Sequence, residues 1–148
     1  MPNLTIFIPA RSGSTRVKNK NLKRIGKFSL LEKKIKICKS AGFRKIVVST
    51  NSTIIANVSK KNGAKVPFLR PQKYSSSRAS TISVILHYLR HLKANKERIP
   101  EYLAILPVTN PFLKKESIIS AYKKIVKDKN ANSIISYTQS NDHPFSFI

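Results

Sequence analysis

Carboxylates are scarce in this sequence: six Asp and Glu residues stand against 29 Lys and Arg, which gives a formal net charge of +23. No pair of the six has motif spacing, and the three His and one Cys are not clustered. These residues therefore predict no set of ligands for zinc or another cation within the chain. The acidic residues are Glu32, Glu97, Glu101, Glu116, Asp128 and Asp142.

Cysteine and long apolar runs are scarce as well. The single Cys38 excludes a disulfide framework and favours a reducing compartment. No apolar run approaches the ~18–20 residues that a membrane span needs. The N-terminus has no basic stretch before its first apolar segment, which argues against a secretory signal. We therefore expect a cytoplasmic protein without a membrane span.

The positive charge is strongest toward the N-terminal end. Residues 1–50 carry 13 basic and 1 acidic side chains, residues 51–100 carry 10 and 1, and residues 101–148 carry 6 and 4. A solvated, lysine-rich surface accounts for much of this excess, and non-specific attraction to polyanions follows from it. The charge thus concerns partners and says little about the fold.

Strand and helix patterns alternate along a chain whose 148 residues are the size of one domain. The pattern predicts strands over residues 4–9, 45–49, 66–69, 102–106 and 133–137. It predicts helices that run from Ser29 to Gly42, from Ser52 or Thr53 to Gly63, onward from Thr81, and from Glu116 to Lys127. This alternation predicts an α/β protein: three layers, with a mostly parallel twisted sheet and helices on both faces.

Four loops follow the carboxyl ends of the predicted strands, where such sheets bind ligands. Functional residues are therefore expected in Ala10–Gly26, Ser49–Thr53, Arg70–Ser80 and Pro107–Leu113.

The first of these loops has the chemistry of an anion site. Gly13 allows a close approach of the backbone to a ligand, and Ser12, Ser14 and Thr15 add hydroxyl groups. Four cations lie within ten residues: Arg11, Arg16, Lys18 and Lys20. Successive N–H groups in a turn, completed by guanidinium and ammonium groups, suit a triphosphate. The loop lacks the GxxxxGK[ST] spacing of a Walker loop, and taken alone it also fits a solvated turn.

Several segments together resemble the acylneuraminate cytidylyltransferases, the CMP-N-acetylneuraminic acid synthetase family. The opening stretch PARSGSTRVKNKN, Pro9 to Asn21, resembles the first motif of that family. Later segments match in order and at suitable distances: Ile46–Thr50, Val66–Pro71 followed by Ala79–Thr81, Leu106–Phe112, and His143–Phe145.

The resemblance implies a Rossmann-like nucleotidyltransferase that joins a nonulosonic acid to CTP, with CMP-sugar and pyrophosphate as products. It implies that Arg11 faces the triphosphate and that Lys20 stabilises the charge of the departing pyrophosphate, both as catalytic residues. It also implies a homodimer at full length and a place in lipopolysaccharide or capsule biosynthesis. The nucleotide-binding positions implied are Arg11, Ser12, Gly13, Ser14, Arg16, Lys20, Asn21, Arg70 and Ser80. The sugar-binding positions implied are Asn21, Thr109, His143 and Pro144.

The chain also departs from the family pattern. Thr15 stands where the family usually has a lysine, and Pro107 stands where sialic acid enzymes commonly carry a glutamine. Asn51, Ser77 and Ser83 fall where many relatives carry aspartates. The family's magnesium-binding aspartates, and much of its dimerisation region, are expected beyond residue 148. Residues 1–148 are thus interpreted as a nucleotide-binding cytidylyltransferase domain that lacks its C-terminal part.

Alternatives stay open at this point. The sugar could be a sialic, legionaminic or pseudaminic type acid, or 3-deoxy-octulosonate. The chain could bind CTP without turning it over, because the metal-binding segment is expected elsewhere. A basic module for polyanions is a third possibility, although the aromatic residues fall mostly at core-periodic positions rather than among the lysines.

Overall fold

The computed structural model describes residues 4–14 and 17–137, in which strands alternate with helices. The strands are β1 Leu4–Pro9, β2 Arg24–Ile25, β3 Phe28–Ser29, β4 Ile46–Ser49 and β5 Tyr102–Ile105. The α-helices are α1 Leu30–Ser40, α2 Thr53–Lys61, α3 Thr81–Ala94 and α4 Lys115–Lys127. Short 3-10 turns lie at Lys20–Leu22 and Gln72–Tyr74.

The main sheet is parallel and has the strand order β4-β1-β5. Ile6 of β1 is in register with Ile46 on one side and with Ala104 on the other. Because β1 is central, its residues from Thr5 to Ile8 are all buried. A continuous apolar run is typical of a parallel strand covered on both faces.

Alternate residues of β1 enter two different apolar clusters. Ile6 and Ile8 pack in a cluster that includes Leu31 and Ile35 of α1, with further side chains from α2 and α4. Phe7 faces the opposite way and lies 5.3 Å, between ring centroids, from Tyr88 of α3. The sheet is therefore sandwiched between α3 and the other helices, which confirms the predicted three-layer α/β fold.

The strand predicted over residues 133–137 does not form. This segment pairs with no other described strand, and Ile135 and Tyr137 are 81% and 95% exposed. Its β-branched residues suit a strand, but a strand needs a partner whose hydrogen bonds complete the ladder. The composition of residues 133–137 favours a strand but does not show whether a partner strand is present. The prediction is therefore wrong for these residues.

The strand predicted over residues 66–69 is reduced to two isolated parallel bridges. They join Lys65 to Val47 and Leu69 to Thr50, on either side of Pro67. Proline has no N–H to donate, so it interrupts a ladder at this point. The segment is therefore paired at its two ends, and the regular strand predicted over residues 66–69 is not present.

A small hairpin begins at the end of the predicted loop Ala10–Gly26 and extends to Ser29. Strands β2 and β3 pair antiparallel across Gly26 and Lys27, and Gly26 has a φ of +67°. Glycine adopts this left-handed conformation without steric cost, which allows so tight a turn. The hairpin delivers the chain directly to the start of α1.

No helix in the described part of the chain combines the length and the apolar character that crossing a membrane requires.

A capping box formed by Ser29 and Glu32 opens α1, where the sequence predicts that this helix begins. The Ser29 hydroxyl accepts a hydrogen bond from the N–H of Glu32 at 3.2 Å, and the Glu32 carboxylate accepts one from the N–H of Ser29 at 2.7 Å. These bonds from Ser29 lower the pKa of Glu32. The carboxylate is thus engaged in holding the helix start.

We expect Ser29→Ala to lower the free energy of unfolding by about 1 kcal/mol, because it leaves an N-terminal N–H of α1 without its cap. Urea denaturation followed by circular dichroism measures the change. Ser40→Ala is the matched control, because its hydroxyl lies at the other end of α1 and donates to the Ile37 carbonyl. Equal stabilities of the two variants would contradict the capping role.

Candidate functional site

The loops that follow β1 and β4 are joined at the carboxyl edge of the sheet. The Ala10 N–H donates to the Ser49 carbonyl at 2.9 Å, which continues the pairing of the two strands past their ends. Beyond it, the Asn51 side-chain oxygen accepts from the N–H of Ser12 at 2.8 Å and from its hydroxyl at 3.1 Å. The segment Ala10–Gly26 is called the basic loop below. Its first turn is therefore fixed to the end of β4.

Ser12 thus acts as an anchor of the loop, because both its donors are engaged by Asn51. Its prediction as a nucleotide-binding residue stays a prediction. Gly13, the next residue, is exposed and has a φ of +75°. A glycine at this left-handed position keeps the turn tight and leaves its surface open, with Ser14 half-buried beside it.

Asn21 fixes the loop from the other side. Its buried side-chain amide donates to the Arg11 carbonyl at 2.8 Å. Asn21 lies in the 3-10 turn after Asn19, which has a φ of +54°. Lys20 is half-buried in the same turn and is therefore held one residue from this contact. The Asn21 contact thus brings the backbone of Arg11 close to the turn that holds Lys20 and Asn21, and the ligand contacts of these three residues stay predictions.

Arg70 is buried at the same edge of the sheet. Its Nε donates to the Ser49 hydroxyl at 3.0 Å, and its Nη2 donates to the Ser49 carbonyl. Its own N–H donates to the Thr50 carbonyl at 2.7 Å. Arg70 therefore has a structural role that joins two loops. Its role as a nucleotide-binding residue stays a prediction.

The charge of Arg70 meets another cation. Burial, and then the nearby charge of Arg11, lower the pKa of Arg70 to about 10. Within residues 4–14 and 17–137 the ion pair present is Lys115–Glu116, at 4.0 Å on the surface, so no described carboxylate neutralises the two guanidinium groups. An edge that holds two guanidinium groups and no such counter-charge favours an anionic ligand.

Two further predicted residues lie on the loops after the bridge at Leu69 and after β5. The Ser80 hydroxyl caps α3 by accepting from the N–H of Ser83 at 3.1 Å, so it has a structural function of its own. Thr109 is exposed in the loop after β5, between buried Val108 and Asn110. Ligand contacts by Ser80 and Thr109 stay predictions. Outside the described residues lie Thr15, Arg16, His143 and Pro144.

The described residues contain no cluster of side chains of the kind that holds a metal ion. No group of three or more His, Cys, Asp or Glu comes together in the described ranges. Glu32, on the helix that follows the basic loop, is engaged in its capping box. The magnesium ion implied by the family resemblance therefore has no ligand set in this part of the protein.

Sequence reasoning missed two residues that shape the site. Asn51 was noted only as a departure from an aspartate, although its place directly after a buried strand could have marked it. Lys34 is buried in α1 and donates to the Asn110 carbonyl at 2.7 Å. Its spacing of three from Leu31 puts it beside the apolar stripe of α1, which was the available signal.

Aromatic and imidazole rings pack beside Arg70. The His87 ring lies 4.5 Å from the rings of both Phe68 and Tyr74, measured between centroids. Its Nδ1 is buried without a hydrogen-bond partner among the described residues. Burial first, then the charges of His91, Lys73, Arg70 and Arg90, lower the pKa of His87 from its ordinary 6.5. The folded protein therefore favours neutral His87.

Comparison with known proteins identifies the family of this chain. The sequence profile of a family described as Cytidylyltransferase matches residues 5–145. The chain is 32% identical over 131 residues to the pseudaminic acid cytidylyltransferase of Campylobacter jejuni, a match covering 88% of this chain and 56% of that protein. It is 32% identical over 136 residues to the N-acylneuraminate cytidylyltransferase of Escherichia coli, covering 91% of this chain and 31% of that protein.

A solved structure shows the same fold at lower identity. It is the CMP:2-keto-3-deoxy-manno-octonic acid synthetase complexed with CTP, with a TM-score of 0.67 and 16% identity. The match covers 86% of this chain and 48% of that one. The chain therefore spans about half the length, or less, of these similar proteins.

We expect Asn51→Ala to free the basic loop, because it removes the acceptor of two hydrogen bonds from Ser12. The free energy of unfolding should fall by about 1 kcal/mol, and the Ser12 amide should exchange faster with deuterium. Denaturation and hydrogen-exchange mass spectrometry measure both effects. Asn51→Asp keeps the acceptor and should behave like the native chain, as should Asn57→Ala at an exposed site on α2. Unchanged amide exchange at Ser12 in Asn51→Ala would contradict the anchoring role of Asn51.

Stability should fall as the pH drops below about 6.5, because the unfolded chain binds a proton on His87 more readily than the folded protein does. Neutral His87 contributes its stability above that pH and loses it as the pH falls through the lower folded value. His87→Gln should flatten the decline in melting temperature between pH 7 and pH 5. Both proteins should be compared also at pH 8, where His87 is neutral in each state. Parallel curves of melting temperature against pH for the two proteins would show that His87 does not contribute to the pH dependence of stability.

Proposed function

The chain belongs to the cytidylyltransferase family, and we propose that it supplies the nucleotide-binding part of an enzyme that joins an acidic nonulosonic sugar to CTP. The observation that carries this proposal is the basic loop that Asn51 and Asn21 fix at the carboxyl edge of the sheet, where neither Arg11 nor Arg70 forms an ion pair with a described carboxylate. A triphosphate supplies the missing negative charge.

The basic loop is suited to the triphosphate because it is fixed before any ligand binds. Asn51 and Asn21 hold it from two sides through hydrogen bonds of 2.8 Å. Donors that are already in place need little reorganisation when charge develops on a phosphate. The exposed surface of Gly13 gives phosphate oxygens room to approach, and Arg11 and Lys20 are cations of the same loop.

The proposed reaction is a displacement at the α-phosphorus of CTP. The anomeric hydroxyl of the sugar forms a new O–P bond and gives up its proton to solvent water, while the bond from the α-phosphorus to the oxygen that bridges it to the β-phosphorus breaks. The electrons of that bond leave with pyrophosphate. Arg11 and Lys20 stabilise the negative charge of this leaving group, so the protein contributes mainly positioning and electrostatic stabilisation. No step is assigned to magnesium, because the described residues hold no ligand set for it.

The sugar class follows from charge and from the relatives. The names of the two matched cytidylyltransferases, and of the structural neighbour, each contain an acidic sugar. A carboxylate on the sugar is attracted by the same positive field that holds the nucleotide. We place the sugar beside Asn21 and Thr109. The identity of the acid, a homodimer at full length, a role in lipopolysaccharide or capsule synthesis and a cytoplasmic location are parts of the same proposal.

One observation favours a second candidate, a chain that binds CTP without turning it over. The described residues contain no cluster of acidic or other metal-binding side chains. Binding and turnover therefore have to be measured separately. Calorimetry with CTP measures the first, and pyrophosphate release with CTP, Mg²⁺ and a panel of nonulosonic acids and 3-deoxy-octulosonate measures the second.

Arg11→Ala and Lys20→Ala should each lower the rate of pyrophosphate release by about 10²–10³, the usual effect of losing one group that stabilises developing charge. Lys18→Ala is the matched control, since it removes an exposed cation from the same loop. A full rate in both site variants would contradict their assignment. CTP binding without turnover by the unaltered chain favours the second candidate, and binding of oligonucleotides with no preference for CTP would contradict both.

A further inference from the structure

Lys34 is a charged side chain placed inside the protein core. It is 1% exposed and lies on α1 among the apolar side chains that cover one face of the sheet. Burial lowers the pKa of its ammonium group. Such a group is costly to bury unless it is hydrogen-bonded, and an apolar side chain of similar size would normally suit the place better.

The hydrogen bond of Lys34 reaches across the fold. Its Nζ donates to the carbonyl of Asn110 at 2.7 Å, 76 residues away in sequence. Asn110 belongs to the loop between β5 and α4, at the carboxyl edge of the sheet. The ammonium of Lys34 thus connects α1 to the loop between β5 and α4. No carboxylate in the described ranges forms an ion pair with Lys34.

A second anchor holds the same loop. Val108 is 2% exposed and packs in the cluster of Leu31, Ile35 and Ile118. Thr109 lies between Val108 and Asn110 and is exposed. With one neighbour buried and the other held through its carbonyl, Thr109 has little freedom to turn. Pro107 and Pro111 on the flanks further restrict the backbone.

We propose that Lys34 is a positioning residue for the acidic sugar: it fixes the Asn110 carbonyl and thereby orients Thr109 at the edge where the sugar binds. The inference rests on the proposed function for the nature of the ligand. It explains why a charge is kept at a core position where methionine would pack as well. Lys34 itself does not touch the sugar, because it is buried beneath the loop.

Lys34→Met tests the proposal, because it keeps most of the volume and removes the donor. Amide exchange at Thr109 and Asn110 should rise about tenfold on loss of this hydrogen bond. The KM for the sugar acid should rise by about the same factor, with the KM for CTP little changed. The melting temperature should stay equal or rise, since an apolar side chain replaces a buried charge. A change in the sugar KM alone is not expected of a merely structural residue.

Lys39→Met is the matched control, since its Nζ contacts the Asn62 carbonyl from the exposed face of the same helix. Should Lys34→Met fail to fold, Lys34→Gln carries the test, because it keeps an N–H donor on a shorter side chain and should give intermediate values. Native exchange and native sugar KM in Lys34→Met would overturn the inference, and so would equal rises of both KM values. An unaltered protein that neither binds CTP nor releases pyrophosphate would overturn the proposed function instead. The exchange data would still show whether Lys34 fixes the loop at Thr109 and Asn110.

Discussion

The Ser49 carbonyl is the point on which the site depends. It accepts a hydrogen bond from the Ala10 N–H, which aligns the basic loop with the end of β4, and another from the Arg70 guanidinium. The Ser49 hydroxyl accepts from Arg70 as well. One buried residue at the end of a parallel strand thus fixes two loops and the cation between them. Parallel strands make this possible because their carboxyl ends meet at one edge.

Unbalanced positive charge is the second constraint. With 29 basic and 6 acidic side chains, the protein cannot neutralise its own cations. Arg70 remains buried beside Arg11, and Lys34 remains buried against a backbone carbonyl. Hydrogen bonds to neutral oxygens make this burial tolerable without removing the charge. An anionic ligand would offset this repulsion at the edge of the sheet, which is the physical basis of the proposed nucleotide site.

Much of the fold could be predicted from local patterns. The buried strand β1, the capping box at Ser29 and the apolar stripe of α1 follow from periodicity and from side chains that act on their own neighbours. The errors have a common cause. Residues 133–137 have the composition of a strand without a described partner, and Pro67 divides another segment whose ends still pair. Pairing is a property of two segments, and one segment cannot show it.

The sequence indicated most of the residue types at the candidate site, but only part of how they are arranged. The cations and Gly13 of the first loop were evident from the sequence, and the family followed from several ordered motifs. The contacts of Ser12 and Asn21 were not evident from the sequence, because a hydroxyl or an amide can bind either a ligand or another part of the protein. Ser12 is held by Asn51, 39 residues away, and Asn110 by Lys34, 76 residues away. The sequence by itself determined which groups are available at the edge of the sheet. Only the tertiary structure decided which of them hold the loops and which stay open, because strand order and register bring distant residues within hydrogen-bonding reach.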